Sequence, residues 1–218
     1  VYILDKVNKP AIAARISGVK NIIGPGLGNQ KKYLTTNVAL SDNDRKLSYS
    51  EQSQKLLSLH GIKILDIYPH IEISSERLIK LRKNIPYKGK KIAFGVDSFE
   101  EYKIWYEDYF IELADKFHKQ GLFDYIFLIC GKEKEHISKR IIERSNKNYF
   151  IDCSNLKLLD IIAALKDSDF FVGNNSGPLN LSAALDVKSF GLFSNTPISQ
   201  LKFSKIIPLT PVNYMDNQ

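Results

Sequence analysis

With 218 residues, 44% of them hydrophobic and 25% charged, the chain is long enough to bury roughly 70% of its unfolded surface and needs no covalent staples to fold. Its longest apolar run, Tyr125 to Cys130, falls far short of the roughly 20 residues that span a bilayer, and Cys130 and Cys153, with no CxxC, read as core residues in a reducing compartment. A net charge of +7 suits phosphate-bearing ligands or anionic membrane faces, but the basic residues are scattered and no nucleic-acid-binding module is recognisable, so no nucleic-acid partner is expected.

The chain opens on VYILDKVNKP, which has neither an initiator Met nor a secretory pattern, and its natural start is expected upstream. VYIL and KNII read as short strands, PAIAARISG as a helix closed by Gly18, and Gly24 to Gly28 as a glycine-rich loop. That loop lacks the spacing of a dinucleotide fingerprint and is expected to be flexible. A helix follows over YSEQSQKLLSLHG, then two extended pieces around Pro69 and a helix from Ser74 to Lys83. These make a partial α/β domain over residues 1–85, and the polar, basic segment RKNIPYKGKK marks the boundary with a second domain over residues 86–218.

From Ile92 onward, short β-rich runs alternate with amphipathic stretches, the pattern of a parallel sheet wound with helices. KIAFGV, YIFLIC, NYFIDC, DFFVG, KSFGLF and KIIPL read as six strands. Between the first two, Tyr106, Tyr109, Phe110, Leu113 and Phe117 recur at near-helical spacing in a helix that Gly121 stops. A polar helix runs to Arg144, LKLLDIIAALKDS is a helix with Leu156, Leu159, Ile162, Ala163 and Leu165 inward, and PLNLSAALD carries Pro178 in its first turn. The fold class is α/β, and the second domain is expected to be one Rossmann-like parallel sheet.

The strongest chemical signal is DFFVGNNSGPLNLSAAL, a buried strand, a turn of small residues and a helix beginning at Ser176 to Pro178. The unpaired N–H groups and positive dipole end of such a helix attract a phosphate, and Gly177 allows close approach to the backbone. On the pattern alone, a capped turn with Ser176 as N-cap is the plainer explanation. His60, His70, His118 and His136 show no metal-type spacing, and no nucleophile elbow surrounds Ser176.

The stretch VGNNSGPLNLSAALDVKSFGLFSNTP resembles the signature of the heptosyltransferase-type glycosyltransferases, in which a strand leads into D-S/T-G-x-x-H-L-A-A-A, a further strand and F-G-x-T. Gly173, Ser176, Gly177, Leu181, Ala183, Ala184, Phe193, Thr196 and Pro197 fall at matching spacing. The acidic residue of that signature is Asn175 here and its His is Asn180, so both positions keep hydrogen-bonding ability and lose a charge or a titratable ring. FGVDSFEEYKIWYEDYF is similar to the family's small-residue turn followed by Lys-x-Trp, and FLICGKEKEHISKRI to its strand, Gly and Glu segment. AIAARISGVKNIIGPG and SYSEQSQKLLSLHGI resemble segments of the family's N-terminal half.

The resemblance implies the GT-B architecture, with residues 1–85, including the Gly24 to Gly28 loop, on the acceptor side and residues 86–218 as the nucleotide-sugar-binding domain. It implies inverting transfer of a heptose-like sugar from a nucleotide-sugar donor, ADP-linked, to a lipopolysaccharide core or related glycolipid acceptor. The setting it implies is cytoplasmic, peripheral to the inner membrane face, with no metal and no cofactor beyond the donor substrate. It implies that Ser98, Lys103, Glu133, Asn175, Ser176, Gly177 and Asn180 bind the donor, Lys103 as a point charge on its phosphates and Glu133 at its ribose. Its general base is expected upstream of Val1, and no catalytic residue is assigned within the chain. Without the resemblance, Lys103 is one solvated Lys among many, Trp105 a core aromatic and Glu133 a helix-start acid. The alternative is a catalytically inactive nucleotide-sugar-binding paralogue or fragment, with Asn175 and Asn180 as the marks of lost chemistry.

Overall fold

The computed structural model describes residues 1–66, 68–85, 88–194, 198 and 206–213. These fall into two units, Val1–Tyr68 and Pro69–Ile198 with residues 206–213. In the first unit, α1 spans Lys9–Ile16 with Pro10 in its first turn, where the missing N–H costs nothing. Helix α2 spans Tyr49–Leu59 and starts on a capping box: the Ser48 N–H donates to Glu51 Oε2 at 2.8 Å and the Glu51 N–H to Ser48 Oγ at 3.3 Å. The two expected strands meet, in parallel, only as a single Tyr2–Ile23 bridge. A small core of Ile3, Ala11, Ile22 and Leu34 lies beneath them.

Gln30, fully buried, organises the rest of this unit. Its Nε2 donates to the carbonyls of Asp5 at 2.8 Å and Val7 at 3.0 Å, and its Oε1 accepts the Gly26 N–H at 2.9 Å. The glycine loop is therefore a packed turn rather than the free loop expected. Gly24 and Pro25 are buried, and Gly26 adopts φ +69° with Ala39 where a side chain would go.

The second unit contains a six-stranded, fully parallel sheet: β1 Lys91–Gly95, β2 Tyr125–Ile129, β3 Phe150–Asp152, β4 Phe170–Asn174, β5 Lys188–Leu192 and β6 Ile206–Leu209. All six are strands expected from the sequence. Their order, β3-β2-β1-β4-β5-β6, is that of the doubly wound Rossmann fold, with the reversal between β1 and β4. Strands β1, β2 and β4 are buried at four of five positions, which is why they read as continuous apolar runs. Asp124 and Asp169, next to the amino ends of β2 and β4, accept the Lys90 and Lys91 N–H groups at 2.7 Å and so pin the start of β1.

Among its described residues this unit has five α-helices: α3 Ser75–Asn84, α4 Glu107–Lys119, α5 Glu135–Ser145, α6 Leu158–Lys166 and α7 Gly177–Ala184. Helix α3, expected on the N-terminal side of a boundary at 85/86, instead docks on α6. Arg77 reaches Asp160 at 3.0 Å, and Asp167 is shared by Arg82 at 2.9 Å and Lys91 at 2.7 Å. The extended pieces expected around Pro69 form no strand among the described residues; there the Ile71 N–H donates to the Ala184 carbonyl at 2.8 Å.

Two inward faces differ from expectation. Tyr106 precedes α4 and is 73% exposed, Tyr109 is also exposed, and the face that enters the core is Phe110 and Ala114. In α6, Leu159 is 53% exposed, because the helix buries its second half, Ile162 to Leu165, while its first turn presents Asp160 to α3. The core on the α4 and α5 side is built from Phe94, Phe110, Ile126, Leu128, Ile141 and Phe150.

Gly95, Gly173 and Gly191 are register partners across β1, β4 and β5. A Cβ on Gly173 would lie 2.6 Å from the Gly95 carbonyl oxygen, and one on Gly191 would lie 2.7 Å from Leu179 of α7. The row brings β1 and β4 together at the reversal point and lets α7 settle on the sheet. No helix among the described residues is long and apolar enough to cross a membrane.

Candidate functional site

In an open α/β sheet the reversal of strand order leaves a crevice at the carboxyl ends of the strands. The loops after β1, β2 and β4 meet at that edge. The β1 loop carries Ser98, buried, and a 3-10 turn over Glu101–Lys103. The β2 loop carries Glu133, exposed, in a 3-10 turn over Lys132–Lys134. The β4 loop carries Asn175 and Ser176 and feeds directly into Gly177, the first residue of α7.

Hydrogen bonds lash these loops together. The Gly131 N–H donates to Asp97 Oδ2 at 2.8 Å, joining the β2 and β1 loops. The Trp105 N–H donates to Asn174 Oδ1 at 2.9 Å, joining the β1 loop to the end of β4. Ser194 Oγ donates to the Tyr102 carbonyl at 3.3 Å, and the Asn175 N–H to the Leu192 carbonyl at 3.2 Å. Every donor-site residue named from the sequence except Asn180 is thus on one of three adjoining loops or the first position of α7. Asn180 lies one turn into α7 and donates its Nδ2 to the Ser176 carbonyl at 3.2 Å, so its amide serves the helix's own start.

Ser176 occupies the N-cap position, as the sequence suggests, but its side chain makes no capping bond. Its Oγ is buried and, among the described residues, without a partner, as is Nδ2 of Asn174. A buried polar atom left unpaired costs about 1–3 kcal/mol, which a water or a ligand oxygen offsets. The first turn of α7 holds no acidic side chain, and a Cβ added to Gly177 would meet nothing within 4 Å. The fold does not need glycine there. The open space lies over the start of a helix whose first N–H groups have no intrahelical acceptor.

Lys103 is not a free surface cation. Its ammonium is paired with Glu100 and sits 5.6 Å from the Tyr102 ring centroid, with most of the side chain buried. The Lys103 ammonium, and then the Tyr102 hydroxyl at 2.9 Å, hold the Glu100 carboxyl below the usual carboxylate range. Lys103 also lines a cleft of about 350 Å³ walled by Tyr102, Trp105, Phe193, Leu209 and Pro211. Trp105 is fixed by edge-on packing against Phe110 at 5.0 Å. Phe193 is buried, whereas Thr196 and Pro197 lie outside the described residues.

Two residues that sequence reasoning passed over matter here: Asn174, which ties the Lys103 loop to β4, and Glu100, which neutralises Lys103. The signal for the first was available, since an asparagine ends an otherwise apolar strand.

Residues 30–213 match glycosyltransferase family 9 (heptosyltransferase). The chain is 25% identical over 163 residues to lipooligosaccharide heptosyltransferase 2 of Campylobacter jejuni, a match covering 71% of this chain and 50% of that protein. It is 31% identical over 126 residues to lipopolysaccharide heptosyltransferase 1 of Campylobacter coli, covering 56% of this chain and 36% of that one. The chain thus spans half or less of the length of the curated relatives it matches. Its fold is shared with E. coli ADP-heptose lipopolysaccharide heptosyltransferase II, at a TM-score of 0.78 and 15% identity over 98% of this chain and 68% of that one. It is shared also with the E. coli heptosyltransferase WaaC solved with ADP, at 0.71 and 16% identity over 96% of this chain and 65% of that one. Both neighbours bear out the α/β, GT-B reading of the sequence, and the family match covers most of the chain: it belongs to glycosyltransferase family 9, the heptosyltransferases.

Proposed function

We propose that the carboxyl edge of the sheet binds the nucleoside diphosphate of an ADP-linked heptose donor, and that the protein transfers the heptose, with inversion, to a lipopolysaccharide core or related acceptor. The observation that carries this reading is the start of α7, where a buried Ser176 hydroxyl without a partner among the described residues and an open Gly177 backbone adjoin the loop bearing Lys103. As the bond from the sugar to the diphosphate breaks, negative charge grows on the leaving phosphate. The N–H groups of α7 and the Ser176 hydroxyl stabilise that charge, and the Lys103 ammonium joins them by turning from Glu100 to the phosphate. Glu133, at the end of β2, accepts hydrogen bonds from the ribose hydroxyls, and Ser98 and Asn175 contribute neutral hydrogen bonds beside the phosphates. The residues of the first unit serve the acceptor side, and the scattered lysines favour contact with an anionic membrane face. The relatives named for lipooligosaccharide and lipopolysaccharide support this choice of acceptor, and the neighbour solved with ADP supports the choice of base.

Calorimetric titration with ADP, UDP and GDP tests the reading. ADP-selective binding is expected, weakened about tenfold, near 1.4 kcal/mol, by Lys103→Ala. Gly177→Ala is expected to fold like the parent and to bind ADP more weakly, because the new methyl occupies the ligand's space. A folded chain that binds none of the three overturns the proposal. The use of the Asn180 amide within α7 favours one second reading, a nucleotide-sugar-binding protein without transfer. ADP binding with no heptose transfer to a lipopolysaccharide acceptor would select it.

A further inference from the structure

Strands β1 and β4 run side by side through the pair Gly95 and Gly173, and there β1 ends. Strand β4 continues for one more residue, Asn174, which is paired with Leu192 of β5 on its other side. On the β1 side the Asn174 side chain replaces the missing strand: its Oδ1 accepts the N–H of Trp105, from a loop 69 residues away in sequence. Because a backbone N–H donates to it, the atom facing Trp105 is the oxygen, and the buried, unpartnered atom is the amide nitrogen. Asn174 is completely buried, precedes the Asn175–Ser176 turn, and holds a residue two positions from Lys103.

We infer that Asn174 is the positioning residue of the donor site: its amide latches the Lys103 loop onto the end of β4, so that the Lys103 ammonium and the start of α7 present one site to an anionic ligand. The inference rests on the donor reading above and adds to it the device that joins its two halves. Near its start the loop is held by Asp97, which accepts the Gly131 N–H of the β2 loop. Ser194 fixes Tyr102 from the β5 side, and Trp105 packs on α4 through Phe110. Among the described residues, only the Asn174 bond ties the β1 loop directly to the strand that leads into α7.

Trp105 is the single tryptophan of the chain, so its emission reports the latch without any ligand. In the full chain, Asn174→Ala is expected to shift Trp105 emission to the red with unchanged far-ultraviolet dichroism. Asn174→Asp keeps the acceptor for the Trp105 N–H and is expected to retain the parent emission. A double-mutant cycle with ADP as ligand supplies the second arm. Asn174→Ala should weaken binding about tenfold in the parent and less than about twofold in a Lys103→Ala background, because removing Lys103 removes what the latch positions. Additive losses, or parent-like emission from Asn174→Ala, overturn the inference. Absence of ADP binding by the parent would instead overturn the donor reading, and the emission comparison would still decide whether the latch exists.

Discussion

The two units reach a folded state by different means. The second unit is held by a repetitive device, a six-stranded parallel sheet whose strands β1, β2 and β4 are buried on both faces, and its largest buried side chains include Phe94, Phe110, Phe127 and Phe171. The Val1–Tyr68 unit, among its described residues, has one isolated bridge, a core of four buried side chains, and a buried polar hub at Gln30. In the first case stability is spread over many similar contacts. In the second a single buried side chain, Gln30, pairs two carbonyls, of Asp5 and Val7, and the Gly26 N–H.

Gly173→Ala tests the sheet where it is least tolerant. The added methyl would stand 2.6 to 2.7 Å from the backbone of Gly95, which cannot move without parting β1 from β4. A loss of about 3 kcal/mol is expected in urea unfolding, at the upper end of overpacking costs. An effect below about 1 kcal/mol would mean that the two strands separate readily there. Gln30→Ala is the matching test in the other unit, with an expected cost of about 2 kcal/mol from stranding buried backbone groups. Amide exchange should localise that loss: protection falls in Val1–Tyr68 and stays in β1, β2 and β4. Equal loss in both units would show that they unfold as one.

The same contrast explains what could be read from the sequence. Strands β1, β2 and β4 were legible because burial on two faces writes continuous apolar runs, β5 and β6 from their short β-rich runs, and an amphipathic helix writes its period. The start of α7 was legible from local chemistry alone, small residues followed by Pro178. Gln30 was not, since a glutamine in a polar stretch looks the same whether it is buried or solvated. Nor was the position of α3: Arg77 and Arg82 find Asp160 and Asp167 more than 80 residues later, and no local pattern announces such a partner. Within the site, the pairings between side chains were invisible in the sequence. The resemblance implies Lys103 as a point charge on the donor phosphates, and Glu100, three residues earlier, holds its ammonium. Glu100→Gln should therefore tighten ADP binding, by no more than a few-fold because the pair is partly exposed. Weaker binding in that variant would mean that Glu100 orients Lys103 rather than competing for it.

Alkaline pH separates the two units as well. Both cysteines lie in the second unit, with Cys130 at the end of β2 and Cys153 just after β3. Burial pushes the Cys130 thiol from 9.0 up to about 11, and burial pushes Cys153 up further, aided by the Asp152 carboxylate. Burial, and then the Asp115 carboxylate that accepts its hydroxyl at 2.8 Å, raise Tyr149 in the same unit. An acid whose folded pKa is raised keeps its proton after the unfolded chain has released it. Above pH 9.0 the unfolded state therefore binds fewer protons, and stability falls as pH climbs toward about 11. Below pH 9.0 these groups are neutral in both states and their contribution is fully present. The urea midpoint of the second unit should accordingly be flat up to that point and decline beyond it, with a shallower decline in a Cys130→Ala, Cys153→Ala chain. The neutral thiols should also resist a maleimide at pH 8 until urea exposes them. Rapid labelling of the folded chain at that pH would mean that the carboxyl ends of β2 and β3 open far more often than the rest of the sheet.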